Sequence, residues 1–468
     1  MIVVVDNLGP VRHAEIDLGK RLIVFAGPNH SGKTHVAWTV YGLLSRLQAF
    51  PTRLSPAAVS IAAELLDAAE AGIPIQRYAD FGREYIQQGL GAFVDSLPIY
   101  FAANKELFRS ARLDLTFLDA DLTGLLHGQV IRFAATSGDI EFAGIEGLTE
   151  PTIRLEVVPE ARLGNSLGLT GRSDAVRTAQ ESSNAERILQ EVAPMLAWLV
   201  GFRLLGTDAV IFPTERTAVS LFSRELASSR FGLVDEILKT SGDPAEAMRL
   251  ATRSARRYPG PILECIQDAN DLAERSRVTT ELEPFAVELE AILGGRMDVS
   301  AEGEIGFTLA EPGCPRVPFH ISASVVKSLA SLVFYFRHQA RPGATLVIDE
   351  PELNLHPDLQ RKVARFLAKA VNAGFRIILS THSDYVLREF SNLVRLGAAG
   401  ERGTEVATEL GYDPASTLKP ELVGVWHFAN GEAESIKING DGFNLSSIED
   451  VIGQQNMDSE RIEFAVGK

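Results

Sequence analysis

Three short apolar stretches, Leu22 to Phe25, Thr345 to Ile348 and Arg376 to Leu379, stand out from a chain otherwise patterned at helical or alternating spacing. Stretches of this length without polar alternation have the form of strands buried on both faces of a parallel sheet. Thr34 to Leu47 follows the first with apolar residues at helical spacing. After the second, Leu359, Val363, Phe366, Leu367 and Ala370 fall on one helix face, with Pro357 suited to its first turn and Gly374 to its stop. Thr52 to Arg112 reads as Ala-rich and Leu-rich helix. From Leu113 to Val158, runs such as Leu115-Thr116-Phe117, Gln129 to Phe133 and Ile153 to Val157 alternate like antiparallel strands. Residues 217–295 read as helix again, without sustained heptads, so no long coiled-coil arm is expected. Val423 to Phe428, Gly431 and Ser435 to Ile438 predict a closing hairpin. The expected class is α/β. Its segments are 1–50 and 296–468 for the two parts of the core, 51–112 for a helical insertion, 113–216 for antiparallel strands and a connection, and 217–295 for a short helical arm.

The first apolar stretch leads into Gly27-Pro28-Asn29-His30-Ser31-Gly32-Lys33-Thr34, which fits the phosphate-binding pattern G-x-x-x-x-G-K-[ST] in the strand–loop–helix context it requires. Glycines let backbone N–H groups turn inward as an anion nest, and the helix N-terminus adds its positive dipole end. Lys33 is then placed for the β- and γ-phosphates of a nucleotide and the Thr34 hydroxyl for Mg²⁺.

The second stretch closes on Asp349 and Glu350, at the strand end that faces phosphates in parallel α/β sheets. Asp349 is expected to hold Mg²⁺ through water, and Glu350 to polarise the attacking water. The third stretch delivers Ser380-Thr381-His382-Ser383, with His382 lying 32 residues after Glu350 and expected at the γ-phosphate. Ile321 to Leu329 opens a further apolar helix. Its hydroxyl residues have two readings, a helix N-cap or an anion site for a phosphate contributed by another subunit.

Composition narrows the class without adding chemistry. With 46% hydrophobic and 23% charged residues the chain reads as an ordinary globular protein. No stretch approaches 18 consecutive apolar residues, and the start lacks a basic region followed by a long apolar one, so no membrane association and a cytoplasmic location are expected. The two cysteines, Cys265 and Cys314, have no metal-ligand spacing. A net charge of −16 argues against a broad nucleic-acid footprint. A local one remains open at Arg249, Arg253, Arg256 and Arg257, whose spacing serves equally as a solvated helix face.

In order and spacing these motifs resemble the ABC-type ATPases, and within them the soluble heads of the SMC and OLD-like group. The residues that carry the resemblance are the Gly27 to Thr34 loop and Ile321-Ser322-Ala323-Ser324-Val325 in the signature position. They continue with Asp349-Glu350-Pro351-Glu352 running on to Leu355-His356-Pro357 and Gln360, and with the Ser380 to Ser383 switch. Val210 to Arg216 is similar to a strand-plus-P-x-x-R segment of OLD-like ATPases. The resemblance covers both ends of the chain and hardly touches the middle. It implies a P-loop NTPase fold of the ABC head kind, with a parallel core sheet, an antiparallel sheet and helical insertions. It also implies ATP and Mg²⁺ as ligands, and an ATP-sandwich homodimer or higher homo-oligomer. In such an assembly Lys33, Thr34, Asp349, Glu350 and His382 of one protomer face Ser322 and Ser324 of the other. The signature departs from the family pattern, because Ala323 and Ser324 stand where two glycines are usual.

The tail shows neither the acidic set of a TOPRIM nuclease nor a His/Cys cluster of the HNH kind. Asp458, Glu460, Glu449 and Asp450 read as solvated acids. The resemblance therefore implies an ATPase that switches a separately encoded effector, a nuclease or toxin, as in anti-phage systems of the Septu and PARIS kinds. Two alternatives stand beside it: a DNA-repair or chromosome-maintenance clamp of the RecF kind, and an ATP-bound scaffold without turnover.

Overall fold

The computed structural model describes residues 1–46, 73–116, 131–135, 138–145, 152–158, 208–223, 258–300, 303–443 and 446–466. The chain divides into two compact units. One comprises Met1–Val3, Leu43–Asp95 and Leu113–Thr207, and the other Val4–Gly42, Ser96–Arg112 and Asp208–Lys468. In the first unit, strands Thr152–Val158, Gly138–Ile145 and Ile131–Ala135 form an antiparallel meander joined at one edge by Ile73–Pro74.

The second unit holds seven strands of a large mixed sheet and all but the first two residues of an eighth. They are β1 (Ile2–Leu8), β2 (Val11–Asp17), β3 (Leu22–Ala26), β4 (Ala209–Phe212), β8 (Thr345–Asp349), β9 (Arg376–Thr381), β10 (Val423–Ala429) and β11 (Glu432–Ile436). Their order is β1-β2-β11-β10-β3-β9-β8-β4. From β10 to β4 every pairing is parallel. β3 and β8 are buried at every position, and β9 at all but its first, as expected of strands covered on both faces. A smaller antiparallel sheet is formed by β5 (Gly295–Val299), β6 (Ile305–Leu309) and β7 (Val317–Pro318).

Helices pack around this sheet through the faces their sequences mark as apolar. They are α1 (Lys33–Arg46), α2 (Gly260–Asn270), α3 (Glu283–Leu293), α4 (Ser324–His338), α5 (Pro357–Asn372) and α6 (Asp384–Ala398). Helix α5 starts with Pro357 in its first turn after His356 as N-cap, and buries Val363, Phe366, Leu367 and Ala370. Phe336 of α4 meets Phe366 of α5 and Phe375 before β9 edge-on, with ring centroids 5.3 and 5.4 Å apart. Each fully buried ring contributes about 2–3 kcal/mol relative to exposure. Arg361 and Arg365 of α5 both bind the buried Glu389 of α6, which fixes the two helices face to face.

The hairpin β10/β11 turns at Asn430-Gly431, both at positive φ (51° and 80°), the chemistry a two-residue turn with right-handed strand twist demands. Sequence reasoning anticipated this hairpin, but not that β10 would run parallel beside β3, against the strand that feeds the glycine loop.

Candidate functional site

Beyond Ala26 the chain leaves β3 in conformations that only glycine adopts cheaply. Gly27 has φ 141°, and a Cβ there would lie 2.3 Å from the Phe428 carbonyl oxygen of β10. Gly32 has φ 95°, and its Cβ would lie 2.2 Å from Val11 Cγ2. Between them His30 carries φ 63°. Pro28, Asn29 and Ser31 complete the loop, and α1 begins at Lys33. The Lys33 ammonium folds back over this loop, donating to the carbonyls of Gly27 (3.0 Å) and Pro28 (2.8 Å), and to Ser31 Oγ (3.4 Å). Only 4% of Lys33 is exposed. Burial lowers its pKa to about 8, against the opposing pull of Glu350, Asp349 and Glu352.

Strand register brings the acids to the same level. Asp349 pairs with Ser380 across β8/β9, and Thr381 pairs with Ala26 across β9/β3, so three strand ends converge where the loop begins. Asp349 is almost fully buried. Its Oδ1 accepts from Ser380 Oγ (2.5 Å) and Thr34 Oγ1 (3.4 Å), and its Oδ2 from the Trp38 indole N–H (2.8 Å). Trp38 lies one turn beyond Thr34 on α1. Its carbonyl accepts from Tyr100 Oη at 2.8 Å, and its ring stacks near Phe101. Burial raises the Asp349 pKa to about 6, with the bonds from Ser380 and Trp38 acting against it.

That raised value carries a stability consequence. The folded protein binds the Asp349 proton more tightly than the unfolded chain, so the penalty is absent below the unfolded pKa and grows as pH rises through about 6. Asp349→Asn is expected to stabilise the protein at pH 8 by about 1–3 kcal/mol, with the gain shrinking towards pH 4. Thermal unfolding of both forms across that range checks it. Equal midpoints at pH 8 would show that the carboxylate is not held at a cost.

Glu350 follows at φ 47°, a left-handed conformation unusual for a non-glycine residue. Its Oε1 lies 3.4 Å from His382 Nε2. The bond from His382 is the main cause of a lowered Glu350 pKa, so this carboxylate stays ionised more readily than a free one. The His382 backbone N–H and the Thr381 hydroxyl both donate to Glu352 Oε1, at 2.8 and 2.7 Å. Ser383 caps α6 and donates to Gln360 Oε1. The switch segment is thereby held by two residues of the Glu352 to Gln360 run.

The expected residues Gly27, Gly32, Lys33, Thr34, Asp349, Glu350 and His382 thus stand around one site. Ser322 and Ser324 behave differently. The Ser322 hydroxyl turns inward to the Phe319 carbonyl (2.7 Å), whereas Ser324 is exposed. The N-cap of α4 is Ala323, which has no side chain with which to cap. The hydroxyl-capped start allowed by the sequence is therefore not formed, and the first N–H groups of α4 lack a side-chain acceptor. The arginine cluster at 249–257 lies outside the described residues. Trp38, Ser380 and Glu352 were not singled out by sequence reasoning. Glu352 had a signal in its place in the acidic run and Ser380 in its place in the switch motif, whereas Trp38 had none.

Among the described residues no group of three His, Cys, Asp or Glu stands ready to hold a metal. The oxygens of Thr34 and Asp349 are hard donors that suit Mg²⁺ completed by water and phosphate. No helix among the described residues is long and apolar enough to cross a membrane.

Residues 326–388 match the family model described as "AAA domain, putative AbiEii toxin, Type IV TA system". The match takes in most of α4, the acidic end of β8 and the His382 segment. No curated protein matches the chain. Among solved structures, the SMC head domain from Thermotoga maritima is 13% identical, over 94% of this chain and 98% of that one, with a TM-score of 0.31. An SmcHead bound to the C-winged helix domain of ScpA is 14% identical, over 93% and 96%, with a TM-score of 0.34. The Smc head domain with an extended coiled coil, bound to the C-terminal domain of ScpA derived from Pyrococcus furiosus, is 13% identical, over 97% and 98%, with a TM-score of 0.31. At these values the likenesses carry no weight for function, which rests on the chain's own residues.

Proposed function

We propose that this chain, an ABC-type, SMC-like head in its motif order and sheet plan, hydrolyses ATP and uses ATP-driven self-association to switch a partner effector protein. The observation that carries this reading is the convergence of Lys33, Thr34, Asp349, Glu350 and His382 from three parallel strand ends. A phosphate chain entering the glycine loop exchanges the carbonyl partners of Lys33 for charged oxygens, which strengthens those hydrogen bonds. Thr34 and Asp349 are the residues that would hold Mg²⁺, which would supply neutralisation of phosphate charge. Glu350 accepts a proton from the attacking water, and His382, hydrogen-bonded to Glu350, fixes the orientation of that carboxylate. The burial of Asp349 and Lys33 keeps these interactions strong.

Self-association is supported by the start of α4, whose exposed Ser324 and uncapped N–H groups offer an anion contact to a second copy. The effector, a nuclease or toxin in anti-phage defence, follows from the family resemblance. The test uses the full chain carrying Glu350→Gln. Light scattering with and without saturating ATP and Mg²⁺ should report a monomer converting to a dimer, and the wild-type chain should release phosphate slowly and leave DNA uncut. A chain that stays monomeric with ATP bound would sink the switch. Salt-sensitive DNA binding lost on neutralising Arg253, Arg256 and Arg257 would favour the clamp instead.

A further inference from the structure

The largest of the fully buried side chains among the described residues is a cation, Arg216, and its hydrogen bonds go to backbone carbonyls and to no carboxylate. It follows β4 at the start of the helical residues 216–223. Four guanidinium contacts go to four backbone carbonyls on three segments. Nε donates to Ser328 (3.0 Å), one terminal nitrogen to Pro213 (3.0 Å) and Asp349 (2.6 Å), and the other to Glu350 (2.7 Å). The charge is offset at longer range by Asp349, Glu352 and Glu350. A buried charge is costly, so a position that needed only packing would be filled better by a leucine or methionine.

The acceptors explain the choice. Two of them are the carbonyls of the site's adjacent acids, and Glu350 is the residue held at φ 47°. A strained conformation persists only where its surroundings over-determine it. The third is Ser328, inside α4. The Ser328 hydroxyl in turn accepts from Asn354 Nδ2 (3.2 Å), just beyond the acidic pair, and Asn354 also has positive φ (61°). Lysine cannot reproduce this, because its three donors radiate from one point whereas the planar guanidinium spreads five.

We infer that Arg216 is a positioning residue, which holds the Asp349-Glu350 backbone in its working conformation and ties that conformation to the placement of α4. Its consequence for turnover rests on the ATPase reading above. A displacement of α4 when its first turn engages a second copy is carried through Ser328 and Arg216 to the Glu350 backbone, and so to the water-activating carboxylate. The acids then answer to an event at the start of α4 in the same protomer.

The experiment compares the full-length wild-type chain with Arg216→Lys by amide hydrogen exchange and by ATPase kinetics. Peptides covering 349–356 and 324–332 should lose protection together, at least about tenfold, while the peptide over β3 keeps its own. The kcat should fall about a hundredfold with KM within about threefold, as expected when a catalytic group is misplaced but the nucleotide still binds. Adding Glu350→Gln should cost little more, because both changes disable one unit. Arg216→Gln is the second variant if the lysine form does not fold, and the same paired loss is expected. Unchanged protection in the two peptides, a uniform loss that includes β3, or fully multiplicative effects of the two substitutions would each overturn the assignment. If the wild-type chain does not hydrolyse ATP, the ATPase reading fails, and the exchange data still decide the role of Arg216.

Discussion

Lys33→Ala is expected to weaken ATP·Mg²⁺ binding by about a hundredfold to a thousandfold and to remove turnover, since charge-assisted bonds to phosphate contribute several kcal/mol in a buried site. Titration calorimetry measures the affinity directly, and it carries a signature of the residue. In the free protein burial lowers the Lys33 pKa to about 8, so at pH 8.5 much of the ammonium is deprotonated. Phosphate favours the charged form, so binding at that pH should take up protons from the buffer. The measured heat should then change with buffer ionisation enthalpy, and the dependence should vanish in the variant. The variant should also fold well. A group whose folded pKa is depressed in this way costs stability while it is charged, at neutral pH, and the cost fades as pH rises from about 8 towards 10.5. Binding retained within tenfold would show that the glycine loop is not where the phosphates sit.

Glu350→Gln should leave ATP binding nearly intact while lowering kcat by about a hundredfold to ten-thousandfold, the range for loss of a general base. The amide keeps the shape of the carboxylate and can still accept from His382, so the variant separates proton acceptance from geometry. The pH profile of the wild-type chain adds a check. The His382 bond holds Glu350 below the usual glutamate range, whereas burial lifts Asp349 to about 6. The acidic limb of kcat/KM should therefore fall near pH 6 and follow Asp349, with Glu350 still ionised there. A limb below the usual glutamate range would return the assignment to Glu350 itself.

The core of this site was legible because its chemistry is local in sequence. The glycine loop needs two positions with positive φ and no room for a Cβ, and the pattern around Gly27 and Gly32 records that need. The uninterrupted strands before Asp349 and His382 mark a parallel sheet, and strand ends in such a sheet converge. What escaped was set by tertiary contact. Trp38 looks like an ordinary apolar position on α1, and nothing in its neighbourhood announces that its N–H will hold Asp349. Ser380 reads only as the first letter of a switch motif, yet its hydroxyl closes on the same carboxylate. The inward turn of Ser322 depends on the short helical turn at Phe319–Ile321, which spacing alone does not reveal. Arg216 was visible as part of a motif, but its role became clear only once its acceptors were known.

The position of β3 has a consequence for how the protein is made. Its two sheet neighbours, β9 and β10, come from the far end of the chain: Arg21 meets Gly374 across 353 positions, and Lys20 meets Glu421 across 401. On a ribosome adding residues at about 5–20 per second, the glycine loop emerges early and waits tens of seconds for the strands that flank it. Until then an apolar strand with two open edges is exposed to its neighbours. Synthesis of this protein should thus be sensitive to crowding of nascent chains and to holding chaperones, well before any nucleotide can bind.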